Sequence, residues 1–80
     1  MRLDKYLKVS RVIKRRTVAN DACDAGRVKV NGRTAKAGTD IKPGDIVEVG
    51  FAGGSVKFEI LTVTETVKKE NAAEMYRIME

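Results

Sequence analysis

The period of the hydrophobic pattern changes from about 3.6 to 2 at Gly26, and that change constrains the fold more than any other feature of the chain. Upstream, Val18, Ala19, Ala22, Cys23 and Ala25 form an apolar stripe of small side chains at helical spacing, with Thr17 placed to cap the N-terminus and Gly26 to end the helix. Downstream, Val28 and Val30 alternate with Arg27 and Lys29, and Asn31-Gly32 follows as a tight-turn dipeptide. A helix that stops at a glycine and gives way at once to a strand and turn predicts helices packed on an antiparallel sheet.

The flanking segments extend this pattern. Residues 2–8 suit a short helix in which Leu3, Tyr6 and Leu7 share one side and Arg2, Lys5 and Lys8 line another. Asp4 falls in its first turn, where a carboxylate complements the helix dipole. Val12 and Ile13 anchor the connection to the second helix. Lys42-Pro43-Gly44-Asp45 has type II turn preferences and leads into a strand over Asp45 to Val49. Beyond the Gly53-Gly54 loop, Val56, Phe58 and Ile60 alternate with Lys57 and Glu59. Ala72, Met75, Tyr76 and Met79, at three- and four-residue spacing, predict a last helix over 69–79. The expected fold is α+β, a small single domain with two N-terminal helices on a small, mostly antiparallel sheet and a short C-terminal helix. Eighty residues supply one modest core and no second catalytic domain.

Charge divides the chain unevenly. Residues 1–36 hold eleven Lys and Arg against Asp4, Asp21 and Asp24, a balance of +8, whereas residues 37–80 hold five against eight acids, a balance of −3. Such asymmetry points to one polyanion-binding face, with nucleic acid the leading partner class. The chain contains no histidine, so the commonest general base and zinc ligand are missing, and no phosphate-binding glycine loop occurs. The pairs Asp21/Asp24 and Asp40/Asp45 read as solvated surface, and the single cysteine, Cys23, as a buried core thiol. These features predict a protein that is not an enzyme and needs no cofactor, metal or small-molecule substrate. One cysteine, no signal sequence and no apolar run of membrane length predict a cytoplasmic protein without a membrane partner.

Lys14-Arg15-Arg16 stands just before the second helix, where the dipole disfavours cations by about 0.3–1 kcal/mol each. Arg11 and the Arg2-Lys5-Lys8 row stand close in sequence to the same corner, and an external anion would offset the misplaced charge. The arginine-rich set suits bidentate capture of phosphate oxygens. Four aromatics are too few for a base-stacking ladder, so recognition should run through backbone and shape, as in structured RNA. Arg2, Lys5, Arg11, Lys14, Arg15 and Arg16 are the candidate RNA-binding residues.

At this point the order of signals is recognisable. The segments "MRLDKYL", "SRVIKRRTVANDACDAGRVKVNGRTAK" and "IKPGDIVEV" resemble, over residues 1–49, the RNA-binding module named after ribosomal small-subunit protein four. Its two helices carry the RNA-contacting face, which makes Arg2 and Arg16 the leading contacts by motif. The resemblance implies an RNA-binding domain over residues 1–61 and a C-terminal extension over 62–80 packed on it. The length and the ending "KKENAAEMYRI" are similar to those of the family's ribosome-quality-control members. That likeness implies binding to an obstructed large ribosomal subunit, contact with its ribosomal RNA and peptidyl-tRNA, and support of C-terminal alanine tailing by the factor RqcH. Heat-shock ribosome-binding members are the alternative within the family. The same module also occurs attached to pseudouridine synthases and tyrosyl-tRNA synthetases, and outside the family a DNA-binding or protein-interaction domain is the rival.

Overall fold

A computed structural model describes residues 1–64 and 74–79. Two helices, α1 (Leu3–Val9) and α2 (Arg16–Asp24), pack against each other and precede five strands: β1 (Val28–Val30), β2 (Arg33–Thr34), β3 (Ile46–Phe51), β4 (Gly54–Ile60) and β5 (Tyr76–Ile78). The strands form one sheet in the order β2-β1-β3-β4-β5, antiparallel at every pairing. Alternation sets the register. Val28 pairs with Val49 and Val30 with Val47, and Val47 in turn pairs with Phe58, so the inward residues of three strands line up beneath the helices.

The core forms where these faces meet. Leu3, Tyr6 and Leu7 from α1, Ala19 and Cys23 from α2, and Val28, Val47, Val49, Phe58 and Ile60 from the sheet are all buried. Tyr6 stacks on Phe58 at 6.5 Å between ring centroids, and Phe58 meets Tyr76 at 5.1 Å. The buried Tyr6 hydroxyl donates to the Met75 carbonyl at 2.8 Å, joining the first helix to the last strand region. Burial, and secondarily the neighbouring Tyr76, pushes the Tyr6 phenol far above its ordinary value. The Cys23 thiol is pushed up to about 11 by burial and then by the carboxylates of Asp4 and Asp24, so it is a neutral packing group.

The turn at Gly26 is as the sequence predicts. Ala25 caps α2, Gly26 takes φ +74°, and the N–H groups of Gly26 and Arg27 return to the Cys23 and Ala22 carbonyls. Asn31 (φ +53°) and Gly32 (φ +83°) make the β1–β2 hairpin turn in the left-handed region that this dipeptide favours. The Lys42–Asp45 turn closes with Asp45 N–H donating to the Lys42 carbonyl at 3.2 Å.

Several expectations are corrected. The segment over 69–79 is not one helix: Tyr76–Ile78 is a strand paired with Phe58–Ile60, and residues 69–73 lie outside the described residues. The edge of β4 away from β3 pairs its backbone groups with this segment, and a three-residue strand is too short for periodicity to reveal. Arg15, not Thr17, is the N-cap of α2, and it makes no side-chain capping bond. Val18 is 51% exposed rather than part of the core stripe, and lines a shallow cleft of about 270 Å³ with Phe51. Asp45 is buried, accepting from Asn31 Nδ2 at 3.1 Å and Lys42 N–H at 3.0 Å, and so joins two turns.

Candidate nucleic-acid interface

The site forms where the start of α1 meets the start of α2. Residues 1–4 run beside the 37–41 segment: Leu3 N–H donates to the Thr39 carbonyl at 2.8 Å, Asp4 N–H to Ala37 at 3.1 Å, and Ile41 N–H to Met1 at 3.0 Å. The terminal ammonium adds an ion pair with the exposed Asp40 at 2.8 Å, which keeps that carboxyl below its usual range. The Leu3 and Asp4 N–H groups of the first turn of α1 are thus satisfied through the main chain. The Asp4 side chain takes the next donor of that turn, the Lys5 N–H, and keeps acceptor capacity for other groups.

Asp4 is 2% exposed, yet four groups converge on it. Its Oδ1 accepts from Arg2 Nε at 3.2 Å and from Lys5 N–H at 2.8 Å, and its Oδ2 accepts from Arg16 Nε at 3.3 Å and Asn20 Nδ2 at 3.5 Å. One carboxylate oxygen thus serves α1 and the other α2. Arg16 and Asn20 reach the same oxygen because residues four apart share a helix face. Burial works against ionisation of Asp4, but hydrogen bonds from Arg16, Asn20 and the Lys5 N–H, with the charge of Arg16, outweigh it and hold the carboxyl below its ordinary value.

Arg2 and Arg16 nonetheless keep about half of their side-chain surface in solvent, 55% and 47%. Each uses Nε on Asp4, leaving the Nη groups of both guanidiniums outside that contact. The Arg2 guanidinium also lies beside Gly38, where a Cβ would come within 3.9 Å of its Cζ and Nη2. The loop that carries Lys36 and Gly38 therefore borders the site.

The remaining candidates surround this pair less tightly. Lys5 is half-buried on α1. Arg11, Lys14 and Arg15 are exposed on the connection between the helices, and Arg11 holds a left-handed φ of +65° at the position that follows the Ser10 cap of α1. Among the described residues no side chain caps α2, whose first intrahelical bond runs from Ala19 N–H to the Arg15 carbonyl. Its N-terminus thus presents positive dipole and cationic side chains together. Among the described residues no group of three Cys, Asp or Glu side chains is placed to hold a metal ion, and no helix is long and apolar enough to cross a membrane.

Sequence reasoning names the two arginines but misses Asp4 and Asn20 as site residues. The available signal was the place of Asp4 between Leu3 and Leu7 on the helix face that turns inward, where a lone carboxylate needs partners.

The S4 domain family model matches residues 1–47. The "RQC P-site tRNA stabilizing factor" of Streptococcus pneumoniae is 54% identical over 79 residues, covering 99% of this chain and 90% of its own length. The protein of the same name from Bacillus subtilis is 51% identical over 80 residues, covering 100% and 93%. Among solved structures, the trimeric heat shock protein 15 of Vibrio cholerae superposes with a TM-score of 0.91 at 25% identity, covering 99% of this chain and 81% of that one. The chain belongs to the S4 domain family and, within it, stands with the RQC P-site tRNA stabilizing factors.

Proposed function

We propose that the protein is a non-catalytic RNA-binding factor of ribosome quality control, acting in the cytoplasm on the obstructed large ribosomal subunit. In this reading it contacts large-subunit ribosomal RNA and peptidyl-tRNA and steadies the tRNA while RqcH adds alanine to the nascent chain. The observation that carries it is the convergence of Arg2 and Arg16, from separate elements, on one buried carboxylate with half of each side chain still in water. Arg11, Lys14 and Arg15 on the adjoining connection, with Lys5 on α1, extend the cationic surface. Residues 1–61 would form the binding unit, and 62–80 an extension that supplies the last strand.

The aromatic residues support recognition by backbone and shape. Tyr6 and Phe58 are buried, Tyr76 is half-buried against Phe58, and Phe51 alone of the four is exposed, so the aromatics form no ladder of stacking platforms. The names of the 51–54% identical relatives support a role at P-site tRNA in particular. The fold shared with heat shock protein 15 favours a second reading, recycling of blocked large subunits, at a lower identity of 25%.

Sucrose-gradient sedimentation of a bacterial lysate tests the proposal: the protein should co-migrate with free large subunits that carry peptidyl-tRNA. Migration with neither subunits nor RNA would overturn it. Deleting the gene separates the two readings, because the first requires alanine tails to disappear and the second leaves them intact.

A further inference from the structure

We infer that Asp4, assisted by Asn20, is a positioning residue that sets the aim and spacing of the Arg2 and Arg16 guanidiniums toward two phosphates of a bound RNA, and this rests on the proposed RNA-binding reading. The geometry argues against a purely structural ion pair. Both arginines meet Asp4 through Nε, at 3.2 and 3.3 Å, and on different carboxylate oxygens. A carboxylate held on its Nε side leaves the outer edge of a guanidinium, with its Nη donors, available to a second oxyanion. Because both guanidiniums are tied to one small group, that carboxylate constrains their separation.

The carboxylate also cannot drift. Asp4 is buried, its backbone N–H is bonded to Ala37, and the Lys5 N–H and Asn20 amide hold its two oxygens. Long exposed arginines lose rotamer freedom when they bind, and here that cost falls on folding instead. A lysine at position 16 would carry the same charge without this property, since an ammonium is a point donor with no second edge.

The inference makes a prediction opposite in sign to simple electrostatics. Asp4 is an anion amid cations, so replacing it with a neutral isostere raises the local positive charge and, by Coulomb attraction alone, should tighten RNA binding. Positioning predicts that Asp4→Asn weakens binding to folded RNA by on the order of tenfold, the scale of two arginines that must be ordered at the moment of binding.

The test titrates wild type, Asp4→Asn, Arg16→Lys and the double variant against folded transfer RNA, with purified large subunits in parallel and thermal unfolding to establish that each variant is folded. The Arg Nε–H resonances of the free protein provide a signature that stability alone does not move. The expected result has three parts. Asp4→Asn loses affinity while folded, the Arg2 and Arg16 Nε–H signals lose their bonded shifts, and Arg16→Lys costs little more in the Asp4→Asn background. Asp4→Asn binding transfer RNA as tightly as wild type or tighter would overturn the inference, as would independent, additive effects of the two substitutions. Binding to transfer RNA that behaves as expected, without capture on large subunits, would instead count against the ribosomal reading and leave the positioning role standing.

Discussion

Asp4 and Arg11 show two ways in which a single residue departs from its easiest role. Asp4 is buried and ionised, with its carboxyl held below the ordinary value of 3.8 by Arg16, Asn20 and the Lys5 N–H against the opposing effect of burial. A carboxyl with a depressed folded-state pKa stabilises the fold above the unfolded value, and the contribution disappears as pH falls through the folded value. As pH falls through and below the ordinary carboxylate value, the urea midpoint of the wild type should therefore drop more steeply than that of Asp4→Asn, which has no such proton to take up. Arg11 instead holds a left-handed φ of +65°, a conformation in which an L side chain crowds the backbone. Arg11→Gly should stabilise the fold by about 0.5–1 kcal/mol in urea unfolding while weakening RNA binding, a trade expected where a strained position serves function.

At the scale of elements, the two helices differ in how their ends are satisfied. The first turn of α1 is paired by the Thr39 and Ala37 carbonyls and by the Asp4 carboxylate, whereas no described side chain caps α2. The sequence places Thr17 as a cap, yet the helix begins one residue before it, at Arg16, which brings Arg16 within reach of Asp4. Propensity alone gives no reason for that shift; the ion pair with another helix does. The C-terminal strand shows a similar dependence, since Tyr76–Ile78 takes its conformation from the edge of β4. Tyr6 couples these parts through its hydroxyl on the Met75 carbonyl. Tyr6→Phe keeps the ring stack and removes one of three bonds to that carbonyl, which still accepts from the Leu61 and Thr62 N–H groups, and should cost about 0.5–1.5 kcal/mol, read as a lower urea midpoint with little change in slope.

The whole molecule separates charge from packing. The +8 balance of residues 1–36 belongs to the helices, their connection and the first hairpin, while residues 37–80 carry the −3 balance and their strands complete the core beneath. If about five of the cations neutralise RNA phosphates, log K should fall with log salt at a slope of roughly −3.5 to −4.5. Arg16→Ala should reduce the magnitude of that slope by about 1, measured by titrating one folded RNA across salt concentrations. A slope near zero would mean that phosphate contact does not drive binding.

The sequence by itself determined the α+β class, the end of α2 at Gly26, the Asn31-Gly32 and Lys42–Asp45 turns, and the clustering of cations near two helix starts. Each of these is a local matter, set by backbone freedom or by the spacing of a few neighbours. The tertiary structure alone decided that Tyr76–Ile78 pairs as a strand, that Val18 faces solvent, that Asp45 joins two turns, and that Asp4 gathers Arg2, Arg16 and Asn20. The physical reason is common to all four. Each outcome depends on groups far apart in the chain competing for one edge, one surface or one buried charge, and the pattern of residues along a single segment contains no information about that competition.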